Sequence, residues 1–224
     1  LVRWCDQSNY NDWTASTTNQ AGSFRLPRGN RIIGGLAIPS AGFLWTDFAV
    51  WAVQYIGFPL VFSFTEVGDN CGLIGQKAAT IVGTVPYWMS DHGFFRMGAG
   101  GVEQIPCTVW DFVFKDIDEN NQDKCVAALD YHFSEVFFFF PSRSGGTGEI
   151  DSYVKYNVSE NLWDCGRLVR TGWTDSNRPG DPLGVDETGL VMQHEVGVDA
   201  NGNPMAGVFI QSGFVDIDDG NQIT

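Results

Sequence analysis

The sequence predicts an all-β protein made of antiparallel meanders, and the architecture that fits best is a β-propeller. Residues 77–97 hold three short apolar runs, at 78–82, 85–89 and 94–97, and the breaks between them contain glycine. Runs of about 4–6 residues rich in Val, Ile and aromatics, divided by such turns, are typical of strands rather than helices. Similar units recur along the chain, and repeated meanders of about 40–50 residues indicate a propeller.

The other elements follow from the same pattern, taken in chain order. The first forty residues are polar and rich in turns, and we expect Trp4 and Trp13 to pack against a strand edge or a sheet face. Residues 110–118 fit either a short helix or a strand, because their apolar positions recur with a period near 3.6. The further predicted strands lie at residues 34–38, 42–46, 51–56, 60–65, 102–105, 125–129, 135–140, 149–156, 162–168 (extended by 169–175), 189–194 and 208–215.

The chain shows no obvious linker, so residues 1–224 are predicted to form a single domain. Residues 177–181, which contain a proline, are expected to be a surface loop. The sequence opens on Leu-Val-Arg-Trp, without an initiator Met or a signal peptide, and we expect it to be part of a longer protein.

One predicted hairpin has a local likeness to a Kelch-type propeller blade. Tyr153, Tyr156 and Asn157 end one strand, and Trp163 lies on the next, where it can pack across the strand pair. The Gly-Gly pair that opens a Kelch repeat is not in register here. The dipeptide Trp-Asp occurs twice, but the Gly-His that precedes it in WD40 repeats is missing.

Composition and charge exclude several classes of function. Hydrophobic residues make up 43% of the chain, which predicts a folded core rather than disorder. Thirteen basic against 27 acidic residues give a net charge of −14, whereas a protein that grips nucleic acid needs a basic stripe. Strong acidity favours solubility and repels phosphate. The charge would therefore suit a channel through which DNA slides without sticking.

The longest apolar stretch, residues 42–64, is interrupted by polar and turn residues, among them Asp47, Gln54 and Pro59. A membrane helix needs about 20 predominantly apolar residues, so we interpret this stretch as two or three buried strands and expect no membrane-spanning segment. The five cysteines are odd in number and widely separated, which favours small buried side chains kept reduced inside a cell over a disulfide or zinc framework. They are Cys5, Cys71, Cys107, Cys125 and Cys165.

The sequence gives no catalytic constellation. His92, His132 and His194 stand far apart, and neither a G-x-S-x-G nor an H-E-x-x-H motif is present. We interpret the three histidines as surface or capping residues and predict no catalytic residue, no cofactor and no enzyme activity.

Acidic loops raise the question of calcium. Residues 116–120 begin like an EF-hand loop, but Asn121 stands where glycine is needed and Ala127 where the bidentate Glu belongs. Residues 199–203 and 216–220 also alternate oxygen-bearing side chains. Asp and Asn favour turns for conformational reasons alone, so no metal site is predicted.

Three other features have simple structural interpretations. The run Phe137–Phe140 is expected to be a central strand buried on both faces or facing a neighbouring subunit, with a sugar-stacking patch as the alternative. Residues 98–101 are glycine-rich but lack the Lys-Ser/Thr of a phosphate loop, so they are interpreted as a flexible tip that leads to the strand at 102–105. Four arginines lie near predicted loops and are interpreted as surface residues that an acidic partner would fit: Arg143, Arg167, Arg170 and Arg178.

Several phrases, taken in order, cover nearly the whole chain. They are VRWCDQSNYNDWTAS from residue 2, FRLPRGNRIIGG at 24–35, LIGQKAATIVGTVPYWMSDHGFFRM at 73–97, VEQIPCTVWDFVFKDID at 102–118, the hairpin at 153–163 and VRTGWT at 169–174. Together they resemble the tail nozzle proteins of short-tailed bacteriophages, also called packaged-DNA stabilisation or tail accessory proteins.

This resemblance implies a β-propeller-containing subunit of a homo-oligomeric ring, a hexamer, in the virion tail, assembled in the host cytoplasm. The ring would continue the DNA channel below the portal and its adaptor protein, with DNA passing through without sequence-specific binding. It would also anchor a tailspike, fibre or tail needle. The family offers no catalytic residues to transfer.

Two other function classes remain open. A propeller-type glycan-binding or polysaccharide-degrading tail protein would need a pocket in which carboxylates converge. A cellular Kelch-like interaction protein would need regular Gly-Gly repeats, which this sequence lacks.

Overall fold

The computed structural model describes residues 1–175, 181–199, 202–204, 215–216 and 222–223. Contacts divide the chain into two compact units, Leu1–His194 and Glu195–Thr224. The expected single domain over residues 1–224 stays a prediction, because a division by contacts does not test which parts fold independently.

The prediction of an all-β fold is confirmed. The strands of the first unit are β1 (Val2–Trp4), β2 (Gly22–Phe24), β3 (Ile32–Ile38), β4 (Ala41–Thr46), β5 (Val50–Gly57), β6 (Val61–Gly68), β7 (Ala79–Val82), β8 (Val85–Met89), β9 (Phe94–Gly98), β10 (Gly101–Ile105), β11 (Val126–Asp130), β12 (Glu135–Pro141), β13 (Ile150–Asn157), β14 (Leu162–Arg167), β15 (Gly172–Thr174), β16 (Leu183–Val185) and β17 (Val191–Gln193). A short helix, α1 (Trp110–Phe114), and a 3₁₀ turn, Gln122–Lys124, precede β11. In the second unit β18 (Val215–Asp216) pairs antiparallel with β19 (Gln222–Ile223).

The antiparallel meanders are confirmed as well. Strands β3–β6, β7–β10 and β11–β14 form the first, second and third sheets, in which each strand pairs with its neighbour in sequence. Strands β15–β17 form a fourth sheet, and β1 with β2 forms an N-terminal ribbon. Strand β13 shows the alternation expected of a strand. Every second residue is buried, namely Ile150, Ser152, Val154 and Tyr156, and the residues between them are less buried.

The sheets pack on one another in chain order. Trp45 of the first sheet meets Trp88 of the second at 5.4 Å between ring centroids. Phe94 of the second sheet meets Phe138 of the third at 4.8 Å. On the opposite face of β12, Phe137 and Phe139 stack with the indole of Trp173 in the fourth sheet. The Phe137–Phe140 run is therefore a strand buried on both faces, as one of its interpretations expected.

The first strands of all four sheets line one cavity of about 380 Å³, which includes residues of β3, β7, β11 and β15. A parallel bridge joins Lys77, just before β7, to Val126 at the start of β11. Innermost strands that run side by side around a shared axis are the arrangement expected in a propeller. The propeller itself stays a prediction, because the described sheets are not shown to close into a ring.

Some element predictions need correction. Residues 169–175 do not extend β14, because the chain leaves the third sheet after Arg167 and Gly172–Thr174 begins the fourth sheet. Strands β1, β2 and β16 were not predicted, since three-residue strands carry too little periodicity to detect. Of the two alternatives for residues 110–118, the structure shows the helix: α1 covers Trp110–Phe114, and Ile117 then forms a β-bridge with Ser142. The predicted strand 208–215 lies outside the described residues except for its last position.

Strands β4, β5 and β6 account for the apolar stretch 42–64, as expected. Within the described residues, none of the helices has the length and apolar character needed to cross a membrane.

Candidate functional site

The turn between β5 and β6 carries a concentrated group of exposed apolar side chains. Tyr55, Ile56, Phe58 and Leu60 are 61%, 50%, 73% and 68% exposed. We call these four residues the apolar tip. Exposed large hydrophobic residues that occur singly are ordinary, but four within six positions form a patch of the kind that marks an interaction site.

The strand register explains why the tip projects. The pairing of β4 with β5 reaches Val53, opposite Gly42, whereas β5 and β6 continue to pair through Tyr55 opposite Phe62. The end of this hairpin, residues 54–63, therefore forms a two-stranded ribbon that extends beyond β4. At its end Val61 has a φ of 63°, an unfavourable conformation for a β-branched residue, and Val61 itself is buried.

An apolar groove of about 360 Å³ lies beside this ribbon, on the face of the first sheet that points away from the second sheet. Its lining combines small residues with larger apolar ones, and it includes Val2, Trp4, Gly35, Ala37, Gly42, Leu44, Val53, Phe62 and Phe64. We call this set the apolar groove. The small residues leave the space, because a larger side chain at Ala37 or Gly42 would occupy it.

The N-terminal ribbon closes one end of the groove. Trp4 contacts the ring of Phe62 at 5.3 Å and that of Phe64 at 5.9 Å, and its indole N–H donates to the carbonyl of Gln20. Of the two expected positions for Trp4, a strand edge or a sheet face, the structure shows the sheet face. Trp13 differs, because it is 45% exposed and its indole N–H donates to the carbonyl of Tyr10 within its own loop.

The first sheet is almost free of ionisable charge. Between residues 32 and 68 the only Asp, Glu, Lys or Arg residues are Asp47 and Glu66, in a chain of net charge −14. Asp47 sits at the end of the sheet away from the tip, where its carboxylate accepts from the amides of Asn30 and Arg31. The residues of the apolar tip and of the apolar groove include no Asp, Glu, Lys or Arg.

His92 lies in a cluster that has the residue types, but not the geometry, of a catalytic triad. Its Nδ1 is 2.5 Å from Asp91 Oδ1 and 3.5 Å from Ser90 Oγ, so both partners approach the same ring nitrogen. A proton relay needs them on opposite nitrogens. Ser90 also donates to Asp91, and the cluster caps the turn between β8 and β9.

The other two histidines are structural. His194 lies against the indole of Trp173 at 4.5 Å, and its Nε2 accepts from Nε of Arg170 at 2.8 Å. Burial and the adjacent guanidinium lower the pKa of His194 to about 4, so the ring is neutral at pH 7. His132 stacks edge-on against Phe133 in the turn after β11. The expected surface or capping role fits His92 and His132, whereas His194 is half-buried.

The acidic loops hold turns together. Asp116 accepts from the amide and hydroxyl of Ser144, whereas Asp118 accepts from the amide of Asn120 and the side chain of Asn121, so the two carboxylates serve separate partners. Asp199 accepts from the amide of Gly202. Within the described part of the chain, no three His, Cys, Asp or Glu side chains are grouped so that they could hold a metal ion. Residues 217–220 lie outside it.

The arginines near loops bind within the chain. Arg167 contacts Asp151 at 3.2 Å and Asp116 at 3.4 Å, and it donates to the hydroxyls of Ser142 and Ser144. Arg143 pairs with Glu119, whereas Arg178 lies outside the described residues. Arg170 is buried and donates to His194, so its interpretation as a surface residue is wrong. These contacts fasten the segment after α1 to the end of the third sheet.

One buried carboxylate lacks a full set of partners. Asp130 accepts from the amides of His132 and Phe133 through Oδ1, while its buried Oδ2 has no hydrogen-bond partner. Burial raises the pKa of Asp130, and Asp175 and Glu135 raise it further. Asp175 also binds the amide of Tyr131, so two acids fix this turn.

Burial makes four of the five cysteines weak acids and therefore poor nucleophiles. Burial raises the pKa of Cys71 to about 12 and that of Cys107 to about 11, and it also raises the pKa of Cys125 and Cys165. All five are unpaired thiols. The glycine-rich segment 98–101 connects β9 with β10, and its flexibility stays a prediction.

The sequence analysis missed the tip and the groove. It assigned residues 57–59 to a turn and gave that turn no role. The available signal was the string YIGFPL, which places four large apolar residues around a turn, where polar residues are usual. Comparison with known proteins finds no match for this chain, either among protein-family models or among curated proteins.

Proposed function

We propose that this chain is a structural protein of the tail of a short-tailed bacteriophage, a subunit of the nozzle ring. In this role it continues the DNA channel below the portal and its adaptor protein, and it anchors a tailspike, fibre or tail needle. The observation that carries the proposal is the neutral apolar surface of the first sheet, because a subunit that works by assembly needs such a surface. The sequence segments that resemble tail nozzle proteins, in the same order along the chain, indicate that the assembly is a ring.

A stacked row of sheets suits a scaffold. Aromatic contacts join the first sheet to the second, the second to the third and the third to the fourth. Such continuous packing resists deformation, since interiors of this density transmit strain rather than absorb it. The cavity shared by the four first strands supports the propeller that the nozzle family implies.

The charge of the chain supports the channel role. A net charge of −14 would repel phosphate from a wall that carries its acidic side chains. The prediction is that acidic residues face the lumen of the ring. A map of the ring with these residues on its outer surface would contradict it.

A second candidate is a glycan-binding or polysaccharide-degrading tail protein. It is favoured by the turn after β11, where the aromatic rings of Tyr131 and Phe133 are 59% and 46% exposed. Because Asp130 beside them is fully buried, this turn supports glycan binding rather than cleavage. Polysaccharide binding or cleavage that is lost in Tyr131→Ala would favour this candidate.

Cryo-electron microscopy of the particle that contains the full-length protein tests the first proposal. We expect a six-fold ring directly below the portal adaptor, with this chain fitted into its density. A protein that is absent from the particle and monomeric at all concentrations would overturn the proposal.

A further inference from the structure

We propose that His194 and Arg170 form a proton-sensitive latch at the end of the first unit. While the imidazole of His194 is neutral, it binds Arg170 and holds strand β17 on the fourth sheet. When the ring takes up a proton, it leaves Arg170, and β17 separates from β16. This latch is a property of the first unit alone and is independent of the nozzle role.

The hydrogen bond between the two side chains requires a neutral ring. Nε–H of Arg170 donates to Nε2 of His194 at 2.8 Å. An imidazole nitrogen can accept only while it carries no proton, so the proton of this ring is on Nδ1. Protonation of Nε2 would break the bond and would place a second positive charge beside the guanidinium.

The guanidinium of Arg170 is fixed in position and has no adjacent carboxylate to balance a second charge. Arg170 is buried, its Nη1 donates to the carbonyl of Val169 at 2.6 Å, and its Nη2 lies 3.4 Å from Sδ of Met192. Among the described acids, Asp186 is the one whose charge acts on Arg170, and its own carboxylate accepts from a threonine hydroxyl. Asp181, beside β16, accepts from a glutamine side chain of β17.

Close packing leaves the imidazole little freedom to find another partner. The indole of Trp173 lies against it at 4.5 Å between centroids. On β16, a side-chain carbon at Gly184 would lie 2.7 Å from Nε2 of His194 and 2.7 Å from Cδ of Arg170, so the two groups meet only because this residue is a glycine. Asp175, at the end of β15, binds the turn after β11. Within the described part of the chain, Arg170 is the residue whose charge acts on the ring.

Strand β17 has few other contacts to hold it. It comprises three residues, Val191–Gln193, each paired with one residue of β16, and Val191 is 57% exposed. Beyond the strand, the amide of His194 donates to the carbonyl of Pro182 at 2.8 Å. Segments with few buried contacts open locally at a small cost in free energy. Because the first unit ends at His194, separation of β17 frees the end of that unit.

The sign of the pH effect follows from the neutral state of the ring. Burial and the guanidinium lower the pKa of His194 to about 4, whereas a released ring titrates near the ordinary value of about 6.5. The released state therefore binds more protons, and release is promoted as pH falls below about 6.5. The equilibrium constant for release of β17 should rise about a hundredfold between pH 7 and pH 4.

Two measurements on the full chain test the latch. The chain has three histidines, so the ring C–H signals in proton–carbon NMR are few, and the signal of His194 is the one missing from His194→Gln. Its titration from pH 3 to pH 8 gives the pKa. Hydrogen exchange of the β17 and His194 amides, corrected for the intrinsic exchange rate at each pH, gives the release equilibrium. Amides of β13 serve as the reference.

Three variants separate the latch from a general effect of acid. His194→Gln keeps an acceptor for Arg170 but cannot take up a proton, so release should change less than threefold between pH 7 and pH 4. Arg170→Gln keeps a donor without the charge, so it should raise the pKa of His194 and reduce the pH dependence. His132→Gln, the matched control, should leave the hundredfold change intact. Thermal unfolding at pH 7 establishes that each variant is folded.

Three outcomes would overturn the latch. A pKa of His194 near 6.5 in the native chain would mean that Arg170 does not hold the ring neutral. A low pKa with exchange in β17 no more sensitive to pH than exchange in β13 would mean that the ring does not control the strand. Equal loss of protection in β17 and β13 would mean that acid unfolds the whole unit.

Discussion

The first and third sheets share one topology and differ in almost every other respect. Both are four-stranded antiparallel meanders, yet the third sheet is enclosed on both faces, whereas the N-terminal ribbon covers only part of the outer face of the first. Phe138, Phe139 and Phe140 of the third sheet are fully buried, whereas Phe58 at the end of the first is 73% exposed. Topology alone therefore does not decide whether a meander serves as core or as contact surface.

Charge separates the two sheets in the same way. The third sheet places Glu135 and Lys155 in a largely buried ion pair at 3.0 Å, and it fastens its end with Arg167. The first sheet has Asp47 in the turn after β4 and Glu66 in β6, which pairs with Arg28 at 3.2 Å. The first sheet is thus the poorer in charge, and it carries the exposed apolar tip that suits association. Each prediction below changes a matched position in both sheets.

The largest expected difference comes from removing one phenylalanine from each sheet. Phe138→Ala should lower the free energy of unfolding by about 3–5 kcal/mol, because it leaves a cavity between the second and third sheets. Phe58→Ala should change it by no more than about 0.5 kcal/mol, because the side chain is already in water. Urea unfolding of both variants measures the difference. Equal losses would mean that the tip is buried in the protein in solution.

The next effect concerns the arginines that serve each sheet. Arg167→Ala should cost about 1–2 kcal/mol, because it leaves Asp151, whose side chain is only 17% exposed, without its cation. Arg28→Ala removes pairs with Glu66 and Asp69 beside the first sheet and should cost less than about 1 kcal/mol, since these groups are more exposed.

Urea unfolding at low and high salt checks this comparison. Salt should reduce the small contribution of Arg28 further and affect that of Arg167 less, because buried pairs are less screened. Arg167→Lys should recover part of the loss. A larger cost at Arg28 than at Arg167 would contradict the comparison.

These contrasts show what the sequence could and could not predict. Apolar runs and glycine turns predicted most strands. In segments such as β13 every second residue is buried, and that alternation is visible in the sequence. The exposure of the tip was not predicted, because an apolar string such as YIGFPL is usually buried. Only the register of β4, β5 and β6 shows that the string extends beyond the sheet. The partners of Arg167 were not predictable either, since Asp116 lies 51 residues away.

A smaller effect on stability depends on pH: replacing one aspartate by asparagine should stabilise the protein at the third sheet and destabilise it at the first. Burial raises the pKa of Asp130 in the third sheet. A raised pKa in an acid means that the folded state holds the proton more tightly, so ionisation of Asp130 destabilises the fold as pH rises above the unfolded value. Asp130→Asn should therefore stabilise the protein at pH 7, and this advantage should vanish as pH falls and the native acid becomes protonated.

Asp47 provides the opposite case. Burial raises its pKa, but the amides of Asn30 and Arg31 outweigh that effect and lower the pKa overall. A lowered pKa contributes stability above the unfolded value, and that stability is lost as pH falls through the folded pKa. Asp47→Asn should thus destabilise the protein at pH 7 and become neutral in acid. Melting temperatures of both variants from pH 3 to pH 7 should converge on the native curve from opposite sides, and a shared sign would refute the assignment.

The smallest effect compares one aromatic pair in each sheet. Tyr156 and Trp163 lie opposite each other in the third sheet, 4.8 Å apart, and the indole N–H of Trp163 donates to the carbonyl of Pro106. Tyr55 and Phe62 pair at 5.8 Å on the projecting ribbon of the first sheet. Trp163→Phe keeps a ring but removes the hydrogen bond, and it should cost about 1 kcal/mol.

Tyr55→Ala should cost only about 0.2–0.5 kcal/mol in the isolated monomer, because cross-strand pairs at an exposed end contribute little. Its effect should appear instead in self-association, where the ring would be buried. Measuring both variants by urea unfolding of the monomer and by sedimentation separates the two quantities. If Tyr55→Ala weakens the fold as much as Trp163→Phe and leaves association unchanged, then the projecting ribbon is part of the core and the contrast between the two sheets does not hold.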